Sequence, residues 1–433
     1  MIGVRLTQGS VVACAVDSAG RVVEARAAGR RDDLAAPLTK ALSELATHLA
    51  EPDSITFDVS ADLTLASQLP VTVIRVVPRP PINSDHEIGI DRDLFLVESM
   101  HHIEGGHTAM GRELVPLDTS ALLSIAGSNS DDARYLVTSV GALITPDHEL
   151  EVERLITDHS QAASVEGSRV FHSSAFAVRE RTALVNHALL PGAEALGTLI
   201  AQVAERVFPG SDLFVMTNDG GRVPLSRLMV SPVHSLLAGK ATALVGAAAL
   251  SGVRDGRLLV TRGQESFLGE MLGGELTVIP YAPESVAGRL ATPTANWRDV
   301  APEGVRRFAD AGRGAWRPPT FVTEEPQAAR ITRVSDAALH TSLDLGALGA
   351  ACATLSDWSS QFISVANADE LAQRMQTAEA RVTARLVTAG AAPSQTRIIE
   401  SHIATTAYEA PSVVAVRVRG VAGSYPNLDL VEG

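Results

Sequence analysis

The sequence predicts a layered α/β fold made of two related halves, and three observations carry that expectation. The chain opens with a meander of short apolar strands, Ile2 to Leu6, Val11 to Val16 and Val22 to Ala25, the last two joined by a Ser18-Ala19-Gly20 turn. A helix and two apolar strands follow, an order that suits an α/β layer architecture. A second strand–turn–strand–turn–strand run opens at Arg257 and echoes the first. Val4-Arg5-Leu6-Thr7-Gln8-Gly9-Ser10 compares with Val260-Thr261-Arg262-Gly263-Gln264-Glu265-Ser266.

The remaining elements fall in order along the chain. Asp33 can cap a helix whose Leu34, Leu38, Leu42, Leu45 and Leu49 mark one face at helical spacing. Ile55 to Val59 and Val71 to Val77 read as strands. Residues 79–132 break the rhythm with Pro80 and Pro81 after Pro78 and with four histidines, and read as an insertion. Tyr135 to Val140 is a strand, Glu149 to Ile156 a short helix, and Ala177 to Phe208 a long helix bent near Pro191. Leu213 to Met216 is a strand ending in Thr217-Asn218-Asp219-Gly220-Gly221, a strong turn signal. Lys240 to Leu250 and Gly346 to Leu355 are small-residue helices. Residues 285–335, rich in Pro, Arg and Gly, read as loop. Asn367 caps an amphipathic helix, and the closing strands include Val413 to Arg419. The expected domains are residues 1–78 (start of the first half), 79–132 (insertion), 133–255 (rest of the first half with linking helices) and 256–433 (second half).

Composition bounds the function. The 433 residues are 45% apolar and 20% charged, enough to bury a large core. A formal net charge of −14 argues against nucleic acid or an anionic membrane surface as partner, since both need a basic face. Only Lys40 and Lys240 are lysines, so nearly all positive charge is arginine. Cys14 and Cys352 sit among small or apolar residues and read as buried thiols, too few for a disulfide framework or a four-cysteine zinc site. No leader pattern opens the chain, and Ala241 to Val253 is too short to span a bilayer, so a soluble cytoplasmic protein is expected.

At Phe214-Val215-Met216-Thr217-Asn218-Asp219-Gly220-Gly221, with Pro232-Val233-His234-Ser235-Leu236-Leu237-Ala238-Gly239 and Val245-Gly246-Ala247-Ala248, the sequence resembles the hydantoinase A/oxoprolinase family. Glu180-Arg181-Thr182, Asn186, Leu189 and Pro191 match that family's long-helix motif. Glu113-Leu114-Val115-Pro116-Leu117-Asp118 and the opening meander fit its pattern as well. The resemblance covers about residues 1 to 280. It implies a fold like that of actin, hexokinase and Hsp70, with two ribonuclease H-like halves around a cleft. It also implies ATP-dependent opening of a cyclic amide such as a hydantoin or 5-oxoproline, with ATP and Mg²⁺ as cofactors. The partners it implies are a small-molecule ligand or a second subunit, with a homo-oligomer as a further expectation. Such chemistry needs carboxylates to hold the metal and glycine turns to cradle phosphates.

The chain departs from the family where that chemistry sits. The family's first turn, Asp-x-Gly-Gly-Thr, is matched here by Arg5-Leu6-Thr7-Gln8-Gly9, and its second by Thr261-Arg262-Gly263-Gln264-Glu265. A His-Gly-Thr-Thr stretch is matched by Val59-Ser60-Ala61-Asp62. Replacing an aspartate by arginine beside a divalent ion reverses a sign. At about 4 Å and an effective dielectric near 20, a unit-charge contact is worth about 4 kcal/mol. That reversal argues for loss of ordinary Mg-ATP hydrolysis, leaving a binding or partner subunit; the alternative is an active cyclic-amide hydrolase using Asp219, Asp62 or Glu265 in altered roles.

Other constellations keep two readings each. Gly239-Lys240-Ala241-Thr242 fails the P-loop pattern, but Lys240 at a helix start either meets an anion or is solvated. His101, His102 and His107, with Asp85, His86 and Glu87 nearby, either hold a metal or are ordinary surface and hydrogen-bonded histidines. Asp219-Gly220-Gly221 either contacts a ligand at a strand end or simply turns the chain. Gly346, Gly349, Ala350 and Ala351 permit close helix packing or close approach to a nucleotide.

Overall fold

A computed structural model describes residues 1–30, 33–49, 51–65, 69–79, 92–127, 133–162, 164–282, 288–305, 319–325, 331–335, 338–405, 413–426 and 428. Pro80, Pro81, Asp85, His86 and Glu87 of the expected insertion lie outside them.

Ile2–Thr7 and Ser10–Val16 form the opening antiparallel hairpin, and Val22–Ala28 extends it. Ile2–Thr7 also pairs in parallel with Ser54–Asp58, and that strand in parallel with Asp212–Met216. The second sheet repeats this order. Gly256–Arg262 and Glu265–Leu272 form a hairpin that Glu275–Leu276 extends. Gly256–Arg262 is parallel to Thr320–Glu324, which is parallel to Ala338–Thr341. These β-branched and leucine-rich central strands are buried, as parallel strands covered on both faces must be.

Three boundaries differ from the sequence expectation. Val71–Val77 does not lie beside Ser54–Asp58. It is central in a four-stranded parallel sheet with Val97–Glu104, Arg134–Ser139 and Ser164–Gly167. Val71, Thr72, Val73 and Ile74 are buried on both faces, and of the strand's two edge partners Val97–Glu104 comes from the segment 79–132 and Arg134–Ser139 from beyond it. The closing strands Leu355–Ser364, Val413–Ala422 and Thr396–Thr405 join the first sheet through Arg222–Pro224, not the second. Their Val414, Val416 and Val418 cover the apolar face of helix Ala368–Thr388. Residues 285–335, expected as loop, contain the strands Thr294–Ala295, Trp297–Asp299, Thr320–Glu324 and Ile331–Ser335. Pieces of two to five residues between Pro, Gly and Arg leave too little periodicity to read.

Helix Ala35–Ala46 and the long helix Phe176–Val207, continuous through Pro191, share one core with the opening strands. The long helix is long and apolar enough to cross a membrane, yet Leu184, Val185, Ala188 and Leu189 pack inside the fold. Helices Ala238–Ser251 and Leu345–Cys352 form a second core with both sheets. A Cβ at Gly349 would strike the Thr242 backbone, and one at Gly246 the Leu345 carbonyl, so the small residues serve close helix packing. Cys14 and Cys352 are buried free thiols, and burial pushes Cys352 up to about 12.

Candidate functional site

The parallel pairing sets Arg5 directly beside Asp58, at the ends of two central strands. From there Arg5 reaches Asp344, the N-cap of helix Leu345–Cys352. Its Nε donates to both carboxylate oxygens at 2.8 and 3.0 Å, and a terminal nitrogen donates to the second oxygen. Asp344 also accepts from Ala347 N at 2.8 Å, so one carboxylate holds both the cation and the helix start. Glu24 accepts from Asp344 N at 2.7 Å and Glu324 from Leu345 N at 3.1 Å. A Cβ on Gly346 would run into the Arg5 stem, so this glycine is what lets the arginine lie over the first turn.

The charges here are tightly coupled. Burial works against the Asp344 charge, but the Arg5 hydrogen bonds and charge hold its carboxyl below the usual range. Burial pushes Asp58 up, against hydrogen bonds from Ser60 N at 3.1 Å and Ser60 Oγ at 2.7 Å and the charges of Arg5 and Arg262. Glu324 is pushed up by burial and by Asp344. Three carboxylates, Asp58, Glu324 and Asp344, thus surround the guanidiniums of Arg5 and Arg262.

The other expected residues scatter around this cluster. Thr7 closes its hairpin on Ser10. Thr261 Oγ1 closes the second hairpin on Ser266 Oγ at 3.0 Å. Gln8 is exposed at the first tip, and Gly9 (φ 98°) and Gly263 (φ 58°) take the left-handed turn positions. Glu265 is exposed, 3.7 Å from Arg262. Gly239 comes close to Ser60 and Asp58. Lys240 Nζ donates to Asp299 Oδ1 at 2.5 Å and stands 4.2 Å over the Trp297 ring. The histidines do not converge. His101 Nε2 lies 3.2 Å from Ser99 Oγ, while His107 stacks 4.3 Å from His148. His101 and His102 are neighbours on a strand, where side chains alternate between faces. Among the described residues no group of three or more His, Cys, Asp or Glu is placed to hold a metal.

Asp219 is a structural junction. Its carboxylate accepts from Thr217 Oγ1 (2.5 Å), Ser356 Oγ (2.6 Å) and Trp358 Nε1 (2.9 Å), and pairs with Arg419 at 3.3 Å. Burial alone would raise it, but Arg419 and these donors hold it below the usual carboxylate range. Cβ atoms on Gly220 and Gly221 would meet Leu276 and Ser356, so the Asp-Gly-Gly turn also serves packing. Asn218 Nδ2 donates to Val233 O at 3.0 Å, and its Oδ1 accepts from Leu237 N at 2.8 Å, fixing the following loop.

Beside Asp219 opens a cavity of about 400 Å³, within the size range of small-molecule sites. Its walls include Thr217, His172, His234, Asp357 and Trp358, with Arg227, Arg381, Arg385 and Arg417. Burial, then Arg227, push His234 down to about 4. His172 is pushed down by the surrounding protein mass, Arg179 and Arg385, less firmly because the residue stays solvent-exposed. Arg385 Nε donates to Asp357 Oδ2 at 2.6 Å, while burial pushes that carboxyl up.

Sequence reasoning missed Asp58, Arg262, Glu324 and Asp344, and all four cavity arginines. Asp344 ahead of a small-residue helix was a readable capping signal. No family model and no curated protein matches the sequence. Solved structures do. The nucleotide-free acetone carboxylase, studied for ATP-dependent acetone carboxylation, and the ATP-dependent caprolactamase from Pseudomonas jessenii each match with a TM-score of 0.69 at 11% identity. Each alignment covers 98% of this chain and 88% of the other. The chain shares the fold of both over 98% of its length.

Proposed function

We propose that this chain is a hydantoinase/oxoprolinase-like protein of two duplicated α/β halves around a cleft, which has lost Mg-ATP chemistry. It acts in the cytoplasm as a non-catalytic binding or partner subunit. The repeated strand order of the two sheets supports the duplication. The observation that carries the loss is the Arg5–Asp344 bridge. The family places a carboxylate where Arg5 stands. Here a cation fills that position, takes Asp344 as its own partner and lays its stem over the helix start. Mg²⁺ requires oxygen ligands in near-octahedral array. A guanidinium offers none, and the nearest carboxylate is already engaged twice. The residues present do not fit Mg-ATP.

The test is phosphate release from ATP with and without Mg²⁺, on the wild type and on Arg5→Asp. The expected result for the wild type is no release above buffer. Mg²⁺-dependent turnover that Asp58→Asn abolishes would overturn the reading. The competing reading is an active cyclic-amide hydrolase. It is favoured by the fold shared with two ATP-dependent enzymes and by Asp58 and Glu324, which remain beside Arg5.

A further inference from the structure

We infer that the cavity beside Asp219 binds a small organic dianion, a dicarboxylate or a phosphate monoester with an apolar body, through Arg227, Arg381, Arg385 and Arg417. This deepens the binding reading above and rests on it.

Charge carries the argument. Asp219, on the cavity wall, is neutralised by Arg419, which is buried behind it. What remains is four guanidiniums against Asp357 and Glu400, an excess of two positive charges among the described lining residues. Arg385 is held by Asp357. Among the described residues, Arg227 and Arg381 are exposed and make no side-chain ion pair, and Arg417 lies 5.9 Å from the Tyr281 ring. In a chain of net charge −14, arginines gathered on one concavity make a local positive field that attracts an anion. His172 and His234 stay neutral at neutral pH, so they add hydrogen-bonding capacity rather than charge.

Shape narrows the class. Trp358, Pro280, Pro293 and Val278 give the cavity an apolar wall, while Ser231, Ser235 and Ser360 offer hydroxyls. Strand Leu355–Ser364 pairs with Arg222 at Leu355, and among the described residues its edge on this side has no partner strand from Asp357 onward. Guanidiniums bind carboxylate and phosphate bidentately, and a partly apolar ligand would lie against the indole. A free inorganic ion would leave that wall bare.

The test is calorimetric titration of the full chain, without nucleotide, with phthalate, phenyl phosphate, benzoate and benzamide. The expected result is sub-millimolar binding of at least one dianion. Benzoate should bind about tenfold more weakly, since each lost charged contact is worth roughly that factor. Preference for phthalate marks a dicarboxylate site, and preference for phenyl phosphate a phosphomonoester site. Arg227→Gln or Arg381→Gln should weaken dianion binding about tenfold with no change in unfolding midpoint. No heat from either dianion at about 10 mM, benzoate binding as tightly, or unchanged affinity in both variants overturns the inference. Because no nucleotide is present, failure here leaves the Arg5 reading standing, whereas ATP turnover would sink that reading and leave the dianion result untouched.

Discussion

Around Arg5, two guanidiniums face three carboxylates, and the closest pair is locked bidentately at the start of a buried helix. Around the cavity, four guanidiniums face two carboxylates, and among the described residues Arg227 and Arg381 form no direct ion pair. Arg5 and Asp58 of the first region share a nine-stranded sheet with Trp358 and Arg417 of the second, while Arg262 and Glu324 come from the neighbouring sheet. The first pairs its arginine with a buried acid of the chain itself. The second leaves charge open, as a binding site does. Removing a member of the first should therefore cost stability, and removing a member of the second should cost only ligand.

The largest expected effect is Asp344→Ala. It strips a mostly buried arginine of its partner and a helix of its cap, for about 3–5 kcal/mol. Urea unfolding measures it, and a loss under about 1 kcal/mol would break the contrast. Arg5→Met should cost less, about 2 kcal/mol, because Asp344 keeps Ala347 N as a donor. It should also alter the pH response. The Asp344 carboxyl lies below its unfolded value, so its contribution is present above the unfolded range near pH 4 and lost as pH falls through the folded value. Arg5→Met should flatten that acid loss in stability measured from pH 6 to 2.

His234 gives an intermediate effect of its own sign. Its folded value near 4 lies below the unfolded value near 6.5, so the unfolded state takes up the proton first. Stability falls as pH drops from about 6.5 to 4, by on the order of 2 kcal/mol once its partial exposure is allowed for. His234→Gln should remove that slope in thermal melts. The smallest effect is expected from Arg381→Gln, within about 0.5 kcal/mol of wild type, because the side chain is exposed and forms no ion pair among the described residues. A larger loss would mean the cavity arginines are structural and would erase the contrast.

Much of the fold could be read before the structure. Strong periodicity gave the opening meander, the helix marked by Leu38, Leu42 and Leu45, the Asn367 cap and the repeat at Val260. Pairing across long sequence separations could not be read. Val71–Val77 looks like any buried strand, and nothing local says it joins Arg134–Ser139 rather than Ser54–Asp58. Nor does Val413–Ala422 announce that it returns to the first sheet. The site was half legible: Arg5 stood out because it reversed an expected charge, but Asp344 lies 339 positions away and only folding brings it there. Asp219 was legible as a turn and turned out to be the pivot joining three strands.

The central claim, that the Arg5 position has given up magnesium nucleotide, is tested most directly by calorimetric titration of the full chain with ATP in the presence of Mg²⁺. The account predicts no measurable heat up to millimolar ATP, in the wild type as in Arg5→Met. Saturable micromolar binding that requires Mg²⁺ and disappears in Asp58→Asn would contradict it.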